Sequence, residues 1–418
     1  MKKIIALLLA LIMVFALVAC GNPSNPSGSN DPSNPTESDK PQETPKPHTM
    51  AVAFGSMNTA DIMMKDYLEN TLGKAYNTKF VFSEQLNDTE AVIAFLETAY
   101  ASGAEGVVVF PTDGLEQIIA KANELGMYIV TNSAKLQDSV KDMPYYVGNV
   151  ASGAALTATS YRNIVEKIVS DGEKHNVIIV SGGAGMGSSQ HLLCTQAVLE
   201  VLQDTYNLTY SAPIEEMARS TSQLEVDTGS DTKILIYPGF SQSDSYVPGM
   251  SNALQTGEYD TVICCYNIYA QFSVAIDEVE KAYNKNIRVV SLAAVDEGTK
   301  NAFNTLDTFG NPSIDAVVVK PLCGMGAEMF AVLYNAIEGN LDQIRETPGQ
   351  ACMYTFPMWY AYGVEEFNSL TNLDNSPETY AFKPEDVANL LVSNNPSLDY
   401  ETFYNTFYNC TAQSLLSK

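Results

Sequence analysis

The stretch GVVVFPTDGLEQIIAKANELGMYIVTN, residues 106–132, decides the fold class. It begins with an uninterrupted apolar run, continues through an amphipathic segment that stops at Gly126, and ends in a second apolar run. Strands that are apolar at nearly every position, rather than at every second one, are typical of a parallel sheet covered on both faces. The stretch therefore predicts a strand, a helix and a second strand in one β-α-β unit.

The same alternation extends outward from this unit. Toward the N-terminus it reaches MAVAFGS (50–56), and toward the C-terminus a second set runs from NVIIVSG (176–182) to IDAVVVKP (314–321). A late helix, MGAEMFAVLYNAIEGN (325–340), and a late strand, ACMYTFPMWY (351–360), follow. Repeated β-α units predict an α/β fold with two doubly wound parallel-sheet lobes, and such folds bind ligands at the carboxyl ends of their strands.

The first fifty residues have a different composition. Lys2 and Lys3 precede an apolar run over 4–18, which has the length of a signal peptide and is short for a membrane span. The run ends in Ala19-Cys20, which resembles the lipobox of bacterial lipoproteins and implies lipid attachment to Cys20. Residues 21–48 are mostly Ser, Asn, Pro and Thr, and such a segment cannot bury enough apolar surface to fold. We expect a lipoprotein signal peptide over 1–19 and a disordered tether over 20–48.

The charge of the chain excludes some partners. The formal charge is −26 at pH 7, and loss of Lys2 and Lys3 with a signal peptide makes it −28. A strongly acidic body disfavours nucleic acid and anionic lipid headgroups as partners. We therefore expect no nucleic acid, and attachment to the membrane only through the lipid anchor.

The cysteines do not indicate a metal site. Six remain after Cys20 is assigned to the lipid, they show no paired spacing, and most are expected to be buried as small hydrophobic side chains: Cys194, Cys264, Cys265, Cys323, Cys352 and Cys410. His191 and Cys194 lie three residues apart on a predicted helix, but no further ligand accompanies them. The expectation is no metal and no cofactor.

The order of the segments resembles that of the type I periplasmic binding proteins, and among them the ribose-binding-like sugar receptors of ABC importers. The stretches that carry the resemblance are GVVVFPTD (106–113), GNVASGAALTA (148–158), NVIIVSGGAGMGSSQ (176–190), CCYNIYA (264–270) and VVSLAAVDEGTKNAF (289–303). The order and spacing of these stretches are specific for the family, whereas no single motif among them is. The resemblance implies two lobes that close around a ligand by hinge bending, with a closed form that docks on a permease.

The resemblance also implies where the chain crosses between the lobes. The three crossings fall near Asn149–Val150, at Lys320–Pro321 and within 349–353. The implied N-terminal lobe is 49–149 plus 321–350, and the implied C-terminal lobe is 150–319 plus 351–418. The second lobe then includes a C-terminal extension, whose aromatic side chains we expect to cover the outside of that lobe.

Only part of the sugar-binding pattern of that family is present. Asn58 and Asn267 match polar positions of the pattern. At the other positions this chain differs from the family. It has Gln190 where the family has an arginine, Ala293 in place of an aspartate, Ser133-Ala134 in place of an Asp-Arg pair, Lys320 in place of a glutamine, and Ala60-Asp61 in place of an aromatic pair. The candidate ligand-binding residues are Asn58, Asp61, Phe110, Ser133, Asn149, Gln190, Arg219, Asn267 and Lys320, with Phe110, Tyr266 and Phe240 as candidate walls. Asp61 opposite Lys320 or Arg219 would suit a zwitterion or a polar ring with a charged substituent, unless these charges are solvated residues of the rim.

The sequence favours a binding protein over an enzyme. SGGAGMGSS follows a predicted strand, but Ser188 stands at the third glycine position of a dinucleotide loop, and no catalytic constellation accompanies it. We expect a monomeric, lipid-anchored protein on the extracytoplasmic face that delivers a small polar ligand to an ABC permease. A sugar, a sugar-like compound, a nucleoside or a charged derivative all remain open as the ligand. The alternative is a receptor that signals ligand binding to a membrane kinase.

Overall fold

Two sheets rich in parallel strands form the fold. The structure is a computed structural model that describes residues 47–133, 135–239, 243–267 and 269–417. Cys20, the signal peptide and nearly all of the tether lie outside the described residues. The strands of the described residues are β1 (His48–Phe54), β2 (Thr78–Gln85), β3 (Gly106–Val109), β4 (Tyr128–Thr131), β5 (Tyr146–Ala151), β6 (Val177–Ser181), β7 (Leu224–Val226), β8 (Ile234–Pro238), β9 (Thr261–Cys264), β10 (Arg288–Ala293), β11 (Ala316–Val319), β12 (Cys352–Thr355) and β13 (Trp359–Tyr362).

Helices alternate with these strands along most of the chain. The α-helices of the described residues are α1 (Thr59–Asp66), α2 (Thr89–Ala101), α3 (Leu115–Leu125), α4 (Ala154–Val169), α5 (Ser189–Tyr206), α6 (Ile214–Ala218), α7 (Tyr246–Gln255), α8 (Ser273–Tyr283), α9 (Glu297–Asn304), α10 (Leu322–Ile337), α11 (Gly363–Asn375), α12 (Pro384–Ala388), α13 (Tyr400–Tyr408) and α14 (Ala412–Leu416). A π-helical turn over Tyr67–Gly73 continues α1. Among these residues no helix is long and apolar enough to cross a membrane.

The first sheet has six parallel strands in the order β12-β5-β4-β3-β1-β2. Its centre contains the unit predicted from residues 106–132, and β3, α3 and β4 confirm that prediction. Helix α3 ends where expected, since Gly126 adopts a left-handed conformation with φ of 71°. Glycine takes this conformation without the steric cost that a Cβ atom brings.

The second sheet has seven strands in the order β13-β11-β10-β9-β6-β8-β7. Its five inner strands are parallel, and the edge strands β7 and β13 pair antiparallel with their neighbours. The inner strands are buried along almost their whole length, which explains their uninterrupted Val and Ile runs. The predicted α/β class with parallel-rich sheets is confirmed.

The late segment ACMYTFPMWY forms two strands rather than one. Strand β12 pairs with β5 in the first sheet, whereas β13 pairs with β11 in the second. Pro357 lies between them, and a proline has no N–H group with which to continue a strand ladder. Strand β5 therefore stays in the first sheet to Ala151, and β12 belongs to that sheet as far as Thr355.

The C-terminal extension contacts elements of both sheets. Tyr67 donates a hydrogen bond from its hydroxyl to the carbonyl of Phe382 at 2.7 Å. Asn335 of α10, which packs on the first sheet, bonds the carbonyl of Leu390 and the N–H of Val392, each at 2.8 Å. From the sequence we expected the extension to cover only the outside of the second lobe. The structure shows that it also contacts elements that pack on the first sheet. Its apolar side chains also bury surface against the first-sheet helices.

Candidate functional site

Each sheet has a point at which the order of its strands reverses. In the first sheet the chain runs from β1 out to β2 and returns to β3 on the other side of β1. In the second sheet it runs from β6 to the edge strand β7, returns to β8 beside β6, and continues at β9 on the other side of β6. Loops that leave two such neighbouring strands separate and open a crevice, where α/β proteins bind ligands. The segments that follow β1, β3, β6 and β9 therefore define the candidate site.

Four side chains meet at the first of these points, and we call Asp61, Phe110, Asn132 and Lys320 the Lys320 cluster. The Nζ of Lys320 donates a hydrogen bond to Oδ1 of Asn132 at 2.9 Å. It also lies 6.0 Å from the centroid of the Phe110 ring, close enough for a cation–π contact. Asn132 follows β4 and Lys320 follows β11, so the cluster joins the carboxyl ends of strands from both sheets.

The charge of Lys320 is poorly solvated. Burial lowers the pKa of Lys320 to about 8, and the negative charge of Asp61 opposes that shift. An ammonium group has three N–H donors, and within the described residues only Asn132 accepts a hydrogen bond from Lys320. Two donors therefore remain for an oxygen atom of a ligand in the crevice.

Asp61 is held in place by its own neighbours. Its Oδ2 accepts hydrogen bonds from Oγ of Ser56 at 2.7 Å and from the N–H of Asn58 at 3.1 Å. Asn58 in turn caps α1, because its Oδ1 accepts from the N–H groups of Ala60 and Asp61. This capping box fixes the carboxylate at the start of α1, directly after β1.

Asn149 is not available to a ligand through its side chain. It is fully buried, its Oδ1 accepts hydrogen bonds from the hydroxyls of Tyr146 and Thr131, and its Nδ2 donates to the carbonyl of Ser133 at 3.4 Å. These bonds support the strand end from which Asn132 projects. The expectation of a ligand contact at Asn149 is therefore replaced by a structural role.

Asn132 is the residue that sequence reasoning missed at this position. The sequence reading selected Ser133, but the hydroxyl of Ser133 donates to the carbonyl of Lys135 at 3.1 Å within the local turn. Asn132 instead bonds Lys320 and, through its Nδ2, the carbonyl of Val150 at 2.7 Å. The sequence contains a hint of this role, because Asn132 is a polar residue at the end of the apolar segment IVTN, one position before Ser133.

A second group of side chains lies at the reversal point of the second sheet, and we call His191, Tyr246 and Tyr266 the aromatic cluster. The rings of His191 and Tyr266 stack with centroids 5.0 Å apart and planes 15° apart. The Tyr266 hydroxyl donates to the carbonyl of Gly239 at 3.1 Å and also contacts the Tyr246 hydroxyl. Tyr266 was predicted as a wall of the cleft, whereas His191 and Tyr246 were not predicted as parts of it.

His191 is in its neutral form in this arrangement. The N–H of Gly182 donates to Nδ1 of His191 at 3.0 Å, so a neutral ring carries its proton on Nε2. Burial lowers the pKa of His191, which favours the same form. The ring therefore presents one N–H donor and a flat face, both of which can serve a polar ring.

The loop after β6 is fixed by a close approach of backbone atoms. Gly183 has φ of 54°, and a Cβ atom there would lie 2.0 Å from the carbonyl oxygen of Ser220. The N–H of Ala184 also donates to the carbonyl of Arg219 at 3.4 Å. Arg219 therefore lies beside this loop, although its side chain is exposed.

The candidates Gln190, Arg219 and Asn267 form no hydrogen bond or ion pair with the Lys320 cluster within the described residues. Gln190 is half-buried in the first turn of α5, and Asn267 is exposed after Tyr266. Ala134 and Phe240 lie outside the described residues. Their roles as ligand-binding residues remain predictions.

The chain was compared with known proteins. A family model described as a periplasmic binding protein domain matches residues 57–341. The chain belongs to the type I periplasmic binding protein family. Members of this family are binding proteins of extracytoplasmic solutes. The search of curated proteins found no match.

Solved structures of periplasmic binding proteins share the fold. A solute-binding protein of an ABC transporter from Bacillus halodurans C-125, with bound myo-inositol, has a TM-score of 0.50 and 16% identity, and the match covers 78% of this chain and 98% of that one. One from Actinobacillus succinogenes 130z with bound D-allose has a TM-score of 0.52 and 14% identity, covering 77% and 99%. The arabinose-binding component from Shewanella sp. ANA-3, bound to L-arabinofuranose, has a TM-score of 0.50 and 13% identity, covering 78% and 94%.

Proposed function

We propose that this periplasmic binding protein is a lipid-anchored receptor that captures a sugar or a closely related polyhydroxylated ring and delivers it to an ABC permease. The observation that carries the proposal is the Lys320 cluster. It places a half-buried ammonium group and a buried carboxylate at the reversal point of the first sheet, beside the crossing between the sheets. A second, aromatic cluster occupies the corresponding point of the second sheet.

The chemistry of both clusters suits a ring that carries several hydroxyl groups. Lys320 and His191 offer N–H donors, Asp61 offers carboxylate oxygens, and Phe110 and Tyr266 offer flat faces. Hydroxyl groups both donate and accept, so they can satisfy all of these groups together, and buried polar groups left without partners cost about 1–3 kcal/mol each. The three solved structures named above hold bound myo-inositol, D-allose and L-arabinofuranose. A charged substituent on the ring remains compatible with the pair of opposite charges.

The two sheets supply the lobes of this proposal. We place the first lobe at 49–151 plus 321–355, and the second at 154–319 plus 359 onward, with the C-terminal helices in contact with both. The crossings then lie at 152–153, Lys320–Pro321 and 356–358. Hinge bending at these short segments would bring the two clusters toward each other around a ligand.

A binding screen tests the ligand class. The chain from residue 20 onward, with Cys20→Ser to prevent lipid attachment, is screened by thermal unfolding against pentoses, hexoses, cyclitols, nucleosides and amino acids. A ligand that binds only the folded state raises the unfolding midpoint by mass action. A hit among sugars or cyclitols, confirmed by calorimetry, is the expected result. Hits confined to amino acids, or no hit in any class, would contradict the proposal.

The anchor and the delivery step need separate experiments. Metabolic labelling with a radioactive fatty acid should mark the full chain and not a Cys20→Ser variant, and only the former should sediment with membranes. The liganded protein should stimulate ATP hydrolysis by the permease complex whose genes neighbour its own. A response of a neighbouring histidine kinase instead, without transport, would favour the sensing alternative.

A further inference from the structure

A pocket of about 150 Å³ lies in the second lobe between α8 and the turn over residues 305–313. Its polar lining consists of three carboxylates and three hydroxyls: Asp277, Glu280, Asp307, Ser273, Thr305 and Ser313. Ile287, which precedes β10, also lines it, and the turn precedes β11. The pocket therefore lies at the amino ends of these strands, opposite the ends that form the candidate ligand site.

In two of these carboxylates, Glu280 and Asp307, only one of the two oxygens accepts a hydrogen bond. Oε1 of Glu280 accepts a hydrogen bond from the N–H of Ile287 at 2.9 Å. Oδ1 of Asp307 accepts from the N–H groups of Phe309 and Asn311 at 2.7 and 2.8 Å. The second oxygen of each group, Oε2 of Glu280 and Oδ2 of Asp307, is buried and has no hydrogen-bond partner among the described residues. Glu280 as a whole is 2% exposed.

The rest of the lining offers no donor to these oxygens. It contains no Lys, Arg or His. The hydroxyls of Ser273, Thr305 and Ser313 each donate to a backbone carbonyl, at 3.0, 2.8 and 3.0 Å, so only their lone pairs are left for the pocket. Buried carboxylates without a cation or a donor are strongly unfavourable. Polar side chains that offer only oxygen acceptors are the ligands that a hard cation prefers.

We propose that the pocket between Glu280 and Asp307 binds a divalent cation, and that its chemistry selects Ca²⁺. Ca²⁺ takes carboxylate, hydroxyl, carbonyl and water oxygens in flexible geometry, whereas the lining holds no nitrogen or sulfur ligand of the kind that favours transition metals. In the part of the chain that is described, no three His, Cys, Asp or Glu side chains lie close enough to hold an ion together. We assign Glu280 and Asp307 as the two carboxylate ligands because the second oxygen of each is buried without a partner among the described residues. Hydroxyls and waters complete the shell, and Asp277 adds negative charge to the pocket.

The charges in the pocket agree with this assignment. Asp307 and Asp277 line the same pocket as Glu280, and a bound cation offsets the repulsion between these carboxylates. The site revises the expectation from the sequence that the chain holds no metal. It also has a structural consequence, because the ion would tie α8 to the turn that leads into β11.

Calcium-dependent unfolding tests the site. The chain from residue 20, with Cys20→Ser, is treated with EDTA, dialysed at pH 8 and unfolded by heat with added Ca²⁺, Mg²⁺ or Zn²⁺. We expect Ca²⁺ at millimolar concentration to raise the midpoint by about 3 °C or more, and Zn²⁺ to have no such effect. Calorimetry should give one bound Ca²⁺ per chain.

Two variants and a control locate the ion. Glu280→Gln and Asp307→Asn should each raise the metal-free midpoint, because repulsion between carboxylates is removed, and should lower Ca²⁺ affinity at least about tenfold. Glu278→Gln removes the same charge from an exposed position of α8 and should leave Ca²⁺ binding unchanged. Absence of any Ca²⁺ effect on the EDTA-treated protein, or an equal effect in both site variants, would overturn the proposal. The second variant keeps the test decisive if the first does not fold.

Discussion

Nζ of Lys320 and Oδ1 of Asn132 lie 2.9 Å apart, and this hydrogen bond connects the end of β11 in the second sheet to the end of β4 in the first. Lys320 also precedes Pro321, with which the chain returns to the first sheet. The residue at this crossing between the sheets thus carries a poorly solvated charge. Under the function proposed above, ligand binding and hinge movement are coupled through this one side chain.

Lys320→Met should weaken ligand binding while it stabilises the protein. The variant keeps the length of the side chain but removes the ammonium donor, and hydrogen bonds to charged groups contribute about 1.5–3 kcal/mol, or roughly ten- to a hundredfold in affinity. The free energy of unfolding should rise at pH 7, because a buried charge is removed. Calorimetry with the ligand from the screen and urea unfolding measure the two effects. Lys300→Met is the control, because the side chain of Lys300 is 40% exposed and pairs with Glu297 rather than with the cluster. Unchanged affinity in Lys320→Met would show that the cluster does not contact the ligand.

Substitutions at Gly183 and Gly187, in the loop after β6, distinguish the cost of a steric clash from the cost of a positive φ angle. Gly183 and Gly187 both have positive φ, 54° and 64°, but only at Gly183 would a Cβ atom meet another atom, the carbonyl oxygen of Ser220 at 2.0 Å. Gly187→Ala should cost about 1–2 kcal/mol of stability. Gly183→Ala should cost about 1–3 kcal/mol more and displace the loop that supports His191.

Urea unfolding and ligand calorimetry on both glycine variants check this prediction. Affinity should fall in Gly183→Ala and stay near the wild-type value in Gly187→Ala. Equal losses in the two variants would mean that the contact with Ser220 does not hold the loop.

Asn335 tests the contribution of the C-terminal extension. Its carboxamide satisfies the carbonyl of Leu390 and the N–H of Val392 in a buried position. Asn335→Ala leaves both backbone groups without a partner, which should lower the free energy of unfolding by about 2–4 kcal/mol. Asn405→Ala, at an exposed position of α13, should change it by less than about 0.5 kcal/mol. A small effect of Asn335→Ala would show that the extension is held mainly by its apolar contacts.

The parts of the structure that could be predicted from the sequence are those that local patterns determine. The unit of β3, α3 and β4 follows from residue spacing and from Gly126. The separation of β12 from β13 depends on pairing with β5 and β11, strands distant in sequence, so its pattern alone did not reveal it. The family resemblance predicted a crossing at Lys320–Pro321, directly after the end of β11. It could not show that Asn132 faces Lys320, because that contact depends on which way each strand end turns.

The aromatic cluster was harder to predict for the same reason. His191 lies on the apolar face of α5, and nothing in the sequence around this single histidine indicates that its ring stacks on Tyr266. Their contact arises only when β6 and β9 pair as neighbours. The unpartnered oxygens of Glu280 and Asp307 are likewise a property of packing, since acidic residues elsewhere in the chain look the same in the sequence.

His175 should make stability fall as pH rises above about 6.5. Its Nδ1 lies 3.2 Å from Asp260 and its Nε2 3.1 Å from Asp171, and the bond to Asp260 is the largest cause that raises the pKa of His175. The folded protein therefore holds a proton that the unfolded chain releases near pH 6.5, so this contribution to stability is full below that pH and is lost as pH rises through the folded-state pKa. His175→Gln should remove this part of the pH dependence.

Urea unfolding of the wild type and of His175→Gln between pH 6 and 9 measures this effect by difference. The raised pKa values of Glu280 and Asp374, both about 7, also make stability fall as pH rises, but both proteins share them, so the difference between the two pH profiles reports His175. Asp260→Asn keeps the histidine but removes its main partner, and should shift the loss of stability to lower pH. Identical slopes in the wild type and in His175→Gln over this range would mean that the two carboxylates do not hold the proton on His175.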